Sequence, residues 1–153
     1  HLGVKMVTIL MMILVIGLDH LTKYMAISLK EGDVIIFDKF LKLTYLENRG
    51  AAFGILENKK IILMIITLLI IGFVIVYIFK NYKSLVSFEK VIYGLLLGGA
   101  LGNLIDRIFR GYVIDFISVR LPFNYDFPVF NVADIAVVVS CILLVIFSLK
   151  GQK

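Results

Sequence analysis

With 153 residues, 61% of them hydrophobic and 18% charged, and a mean hydropathy of +1.02, the chain lies outside the composition of soluble domains, where charged residues alone make up about a quarter. It reads as a membrane protein, since apolar runs of about 20 residues match the roughly 30 Å hydrocarbon thickness. A formal charge of +5 points to anionic lipid headgroups and away from nucleic acid, because the lysines cluster at the ends of apolar runs and not on one polar domain.

His1, Leu2 and Gly3 carry no initiator methionine and are set outside fold reasoning as an added scar. From residue 4 to residue 153 the chain reads as one membrane domain. The first apolar run opens at Met6 and continues to about Ile27. No small-x-small cleavage site follows it, so a retained first span over about 6–27 is expected, not a signal peptide. Asp19 and Lys23 stand at i,i+4 spacing near the end of that helix and form a same-face pair, either an interfacial salt bridge or part of a site. His20 is turned about 100° away from Asp19 and is given no catalytic or metal role.

From Glu31 to Asn58 the composition becomes mixed and polar. Leu41, Leu43 and Tyr45 alternate with Lys42, Thr44 and Leu46, which predicts a strand. Asn48-Arg49-Gly50 ends it as a turn, and a short helix or flap over Ala51 to Leu56 is expected beyond. This segment is too polar to span. It predicts a small β-rich excursion at the membrane surface, over about 31–58, able to offer backbone hydrogen bonds to an extended peptide.

Ile61 to Phe79 has no charged residue and gives the second span, 61–79. Lys80, Lys83 and Lys90 mark the connection to a third span over 91–108. Gly94, Gly98 and Gly102 recur along it every four residues, a stripe that lets another helix pack closely. Gly111 reads as a helix end, followed by a connecting segment to Pro128 and a fourth span over 129–149. Cys141 lies in that last run without a Cys or His partner nearby, which leaves it as lipid-facing or packed filler and excludes an intrachain disulfide or thiolate metal site. The expected fold is therefore an all-α membrane bundle of four transmembrane helices, with a small extracytoplasmic β-rich subdomain between the first and second. Four spans place both termini on one side. Counting Lys and Arg does not say which: six of the 16 (Lys5, Lys80, Lys83, Lys90, Lys150, Lys153) lie with the termini and ten on the other side.

The stretch from Leu101 to Asp134 carries the chemistry. An apolar background there holds Asp106, Asp115, Asp126, Asp134, Asn103, Asn131, Arg107 and Arg110, and ionisable groups at membrane depth are functional candidates by default. Asn103 with Arg107, and Asp106 with Arg110, share faces at i,i+4, while Asn103 and Asp106 can face the bundle together. If Asn131 is the N-cap of the last helix, Asp134 takes the N3 position, where free amides and the helix dipole stabilise an anion. Asp115, in Val113-Ile114-Asp115-Phe116, is flanked by apolar groups. Two acids in unlike surroundings suit a paired-carboxylate hydrolase, one member ionised and one protonated. Zinc chemistry lacks a ligand cluster, the only histidines being His1 and His20, and no motif links His20 to Ser118 or Ser140 as a nucleophile pair. On spacing alone, helix capping and ion pairing explain the aspartates as well as catalysis does, and a small transporter or an assembly factor also fits.

Five ordered segments carry a resemblance: Asp19-His20-Leu21-Thr22-Lys23, Asn48-Arg49-Gly50-Ala51-Ala52-Phe53-Gly54, Gly102-Asn103-Leu104-Ile105-Asp106-Arg107, Val113-Ile114-Asp115-Phe116 and Phe130-Asn131-Val132-Ala133-Asp134. Together they resemble the lipoprotein signal peptidases (signal peptidase II), bacterial four-helix aspartyl peptidases. His20 departs from the residue, often Gln, common at its position in that family. The resemblance implies that Asp115 and Asp134 form a catalytic dyad, that no metal or cofactor is needed, and that diacylglyceryl prolipoproteins are cut just before the lipidated cysteine. It implies that Asn48, Gly50, Asn103, Arg107 and Asn131 position substrate or order the dyad, with Asp19, Lys23 and Asp106 in structural support. It also implies a multi-pass protein of the bacterial cytoplasmic (inner) membrane, with both termini cytoplasmic and the site near the outer leaflet. Globomycin-type cyclic peptides are the expected inhibitors, prolipoproteins and membrane lipids the expected partners, and a monomer the expected state.

Overall fold

The structure is a computed structural model that describes residues 2–51 and 56–150. Its elements in chain order are α1 (Leu2–Ala26), a 3-10 turn (Ile27–Glu31), β1 (Val34–Phe37), β2 (Leu41–Asn48), α2 (Lys60–Asn81), α3 (Ser87–Phe109), β3 (Val113–Leu121), a second 3-10 turn (Pro122–Asn124), β4 (Tyr125–Asp126) and α4 (Val132–Lys150). Among the described residues four helices are long and apolar enough to cross a membrane, as the four apolar runs predict. The residues Leu2 and Gly3, set aside as a scar, continue α1. Of the expected flap, residues 52–55 lie outside the described residues.

Helix α3 is the centre of the bundle. Half of its span, 50%, is buried, against 17–22% for the other three, and it packs on α1, α2 and α4. The glycine stripe is what brings α1 so close. A Cβ at Gly94 would lie 2.7 Å from the Thr8 carbonyl oxygen, and one at Gly98 would lie 2.7 Å from the Val15 Cβ. A fourth glycine, Gly99, does the same for α4, where a Cβ would meet the Ala133 carbonyl oxygen at 2.5 Å. By contrast α2 is apolar around most of its circumference and largely faces outward, as a lipid-exposed span should. Gly111 closes α3 in the left-handed region at φ 84°, with its N–H donating to the Asp106 carbonyl.

The β subdomain is one antiparallel sheet in the order β1-β2-β3-β4. Its first two strands lie between α1 and α2, as expected, and its last two come from the segment after α3 that reads as a connection in the sequence. Val113–Leu121 is a strand paired with β2 through registers such as Leu46 with Asp115 and Asn48 with Val113. Its alternation is hidden because Val113, Ile114, Asp115 and Phe116 are all buried, caught between the sheet and the bundle. A segment covered on both faces shows no apolar-polar period. The same pairing delays the last helix. Phe130 exchanges backbone hydrogen bonds with Ile117 (2.9 and 3.1 Å), so the chain stays extended through residue 130, and the span expected from residue 129 starts at Val132.

Candidate active site

The start of α4 forms as the sequence predicts. The Asn131 side-chain oxygen accepts the Asp134 N–H at 2.9 Å, and the Asp134 carboxylate accepts the Asn131 N–H at 3.1 Å. This reciprocal cap fixes Asp134 at N3, beside free amides. Asp115 reaches the same place from β3. Its two oxygens accept from Asn131 Nδ2 (2.7 Å) and Asn48 Nδ2 (2.9 Å). Asp134 in turn accepts from Asn103 Nδ2 at 2.7 Å. Three asparagines from β2, α3 and the head of α4 thus hold the two acids, and among the described residues no lysine or arginine ion-pairs with either.

Both acids line one cavity of about 570 Å³. Its walls are otherwise mostly apolar: Thr67 and Ile70 of α2, Leu96 and Ala100 of α3, Phe127 to Phe130, and Ile135 with Val137 to Val139 of α4. Burial, and then the negative charge of Asp134, push the Asp115 carboxyl up to about 7, against the opposing pull of the Asn48 and Asn131 amides and of Lys23. Arg107 also lines the cavity and donates to the Gly50 carbonyl at 3.1 Å, while the Gly50 N–H donates to Asn48 Oδ1 at 2.9 Å. The β2 turn is therefore tied at once to α3 and to the amide that holds Asp115.

Behind the cavity lies a second, closed cluster. Lys23 Nζ contacts Asp19 Oδ2 at 2.7 Å, Asp106 Oδ2 at 2.9 Å and Asn103 Oδ1 at 2.9 Å, and the side chains of Lys23, Asp19 and Asp106 are all 0% exposed. The Asp19–Lys23 pair anticipated from the i,i+4 spacing forms, but in the bundle interior and not at an interface. Asp19 Oδ1 accepts the Ala133 N–H (2.9 Å), and Asp106 accepts from Arg110 Nε (3.2 Å) and from the Ile114 N–H (3.3 Å). This cluster orients the site through Asn103. An ammonium can only donate, so Lys23 takes the amide oxygen of Asn103 and leaves its NH2 to face Asp134. All ten anticipated site residues are thereby joined in one hydrogen-bonded assembly. His20 stays at its margin, 3.9 Å from Asp106 Oδ1.

The apolar walls are what sequence reading missed. Thr67, Ile70 and Val137 to Val139 carry no polar motif, and their helical spacing is that of any lipid-facing residue. Among the described residues no group of three His, Cys, Asp or Glu is arranged to hold a metal ion.

Comparison with known proteins places this architecture. A family model described as signal peptidase (SPase) II matches residues 11–150. The lipoprotein signal peptidase of Clostridium novyi is 45% identical over 148 residues, covering 95% of this chain and 99% of that protein. That of Clostridium acetobutylicum is 45% identical over 138 residues, covering 88% and 89%. Two bacterial membrane enzymes solved by the in meso method share the fold. One has a TM-score of 0.84 at 36% identity over 95% of this chain and 89% of that one, the other 0.79 at 38% over 94% and 92%.

Proposed function

Because the chain belongs to the signal peptidase II family, we propose that it is an aspartyl endopeptidase that removes signal peptides from diacylglyceryl prolipoproteins, cutting just before the lipidated cysteine. The observation that carries this reading is the meeting of Asp115 and Asp134, from separate elements, in one apolar cavity where the hydrogen bonds they accept from the described residues come from amides. Two close carboxylates without a cation between them favour holding one proton in common. The ionised member takes a proton from water as the water oxygen attacks the scissile carbonyl carbon. The protonated member gives its proton to the carbonyl oxygen, which avoids a naked oxyanion in a low-dielectric cavity. Collapse of the tetrahedral species breaks the C–N bond: one of its two hydroxyls returns a proton to the ionised member, the leaving nitrogen takes up the proton of the other member, and the signal peptide departs carrying the new carboxylic acid. The dyad returns to its starting state with one water consumed.

The surroundings fit that substrate. The apolar walls between α2 and α4 suit acyl chains, which anchor the bond to be cut, and the β2 turn held by Arg107 lies where an extended peptide would cross. Asn48, Gly50, Asn103, Arg107 and Asn131 order the acids and the peptide, and the Asp19, Lys23 and Asp106 cluster keeps that order. The protein acts as a monomer in the bacterial cytoplasmic membrane, with cytoplasmic termini and the cavity at the outer leaflet. A globomycin-type cyclic peptide competes for the cavity, and the chemistry needs no cofactor.

The test is incubation of the purified protein with a diacylglyceryl prolipoprotein. Asp115→Asn and Asp134→Asn should each lower the rate by about 10²–10⁴-fold, the range that positioned proton transfer supplies, with unfolding temperature showing that the variants fold. Cleavage by either variant at the parent rate overturns the dyad. Equal processing of a lipid-free peptide overturns the role of the acyl chains.

A further inference from the structure

We propose that the tips of the two β hairpins dip together into the interfacial layer of the leaflet on the sheet's own side, making the sheet a second membrane anchor besides the four spans. Residues 31–40 are all exposed, and they include the run Val34, Ile35, Ile36, Phe37, with Phe40 beyond it. Neighbouring residues of a strand point to opposite faces, so β1 is apolar and uncovered on both, with the adjacent Val34 47% and Ile35 67% exposed. A docked protein would cover one face of such a strand. A lipid layer surrounds both. The second hairpin adds Phe123, fully exposed at the turn between β3 and β4, and the two tips are joined where the Arg120 N–H donates to the Phe40 carbonyl at 2.8 Å. Phe40 and Phe123 face one shallow hollow together with Lys39 and Arg120. Aromatic rings beside basic groups are the side chains that settle at headgroup level.

The patch also continues a lipid-facing surface. The first span ends at Glu31, and Val34 is three residues on, at most about 10 Å away along an extended chain. Depth is limited by the backbone. β1 is an edge strand whose outer N–H and C=O groups have no strand partner among the described residues, and such groups are not tolerated in hydrocarbon. The tips therefore rest in the interface, where water and headgroups satisfy that edge, and not in the acyl core.

The chain contains no tryptophan, so one introduced indole reports its own surroundings. Ile35→Trp and Phe123→Trp are compared in lipid nanodiscs with Phe73→Trp, a 72%-exposed position on α2 that serves as the deep reference. The expected result is emission to the blue of free indole and protection from iodide at both sheet positions. Quenching there should be stronger by lipids brominated high on the acyl chain than by lipids brominated at the chain end, with the preference reversed at residue 73. Free-indole emission with full iodide quenching at the sheet positions overturns the proposal. So does blue-shifted emission that ignores brominated lipid and is lost on dilution, which would assign the patch to a second copy. No step of this test requires turnover, so its outcome is independent of the dyad.

Discussion

Two pairs of aspartates lie within the same bundle and are treated in opposite ways. Asp19 and Asp106 have Lys23 between them and Arg110 outside, and they are sealed from solvent. Among the described residues Asp115 and Asp134 have neither a lysine nor an arginine as an ion-pair partner and accept hydrogen bonds from amides, in a cavity that other residues leave open. A buried carboxylate is kept by a paired cation or by taking up a proton. The first pair takes the cation and becomes structure. The second is left to the proton, which is the state that the proposed hydrolytic dyad needs. The helices follow the same division in part: glycines clamp both α1 and α4 on α3, Gly102 against Asp19 of the sealed pair, whereas α2 and α4 face each other across the open one.

The strongest way to break this comparison is to remove the cation. Lys23→Met leaves Asp19 and Asp106 buried without their shared partner, and truncating one member of a buried ionic group costs about 3–5 kcal/mol. Thermal unfolding in detergent should register a large loss. Adding Asp19→Asn to Lys23→Met should restore part of it, because an Asn oxygen can still accept the Ala133 N–H now bound by Asp19. A Lys23→Met protein as stable as its parent would mean that the sealed pair is not held by charge at all.

A smaller effect separates the clamped side from the open side. Gly98→Ala drives a methyl to within 2.7 Å of the Val15 Cβ and 2.9 Å of the Met12 carbonyl oxygen, an overpacking expected to cost about 1–3 kcal/mol. Gly17→Ala and Gly72→Ala meet nothing within 4 Å, and in a helix interior they should be neutral or stabilise by up to about 1 kcal/mol. Unfolding midpoints of the three variants side by side decide it. An undisturbed Gly98→Ala would show that α1 can retreat from α3 without consequence.

Much of this was legible in the sequence, for identifiable reasons. The four spans follow from uninterrupted apolar length, and the Asn131 cap with Asp134 at N3 follows from spacing. The stripe Gly94, Gly98, Gly102 announced a close helix partner because its repeat is four. Gly99 did not, since it serves a different neighbour and belongs to no repeat of its own. β3 was hidden by its burial on both faces, and the cavity walls by having the same aliphatic residues as the lipid-facing surface. Polar residues in an apolar chain announce themselves, whereas the shape that apolar residues enclose appears only when the helices are placed.

The smallest predicted effect is a pH limb, and it sharpens the contrast between the two pairs. Burial and the neighbouring charge of Asp134 raise the Asp115 carboxyl from the ordinary carboxylate range to about 7. A carboxyl raised on folding binds its proton more tightly in the native state, so it draws stability down as pH climbs from about 4 toward 7. The same sign governs turnover. Below about 7 the proposed dyad retains the proton that its mechanism gives to the carbonyl oxygen. Above that both members are ionised, and the cleavage rate should fall about tenfold for each further pH unit. Lys23 pulls the Asp115 carboxyl downward, so in Lys23→Met, as far as it folds, the limb should move to higher pH. In the Asp19→Asn, Lys23→Met protein the loss of a negative charge alongside the positive one should bring the limb back toward its original place. Rate profiles of the three proteins in one detergent measure both shifts. A limb that stays fixed in all of them would mean that the sealed pair, although joined to the open one through Asn103, holds its geometry without influencing its proton.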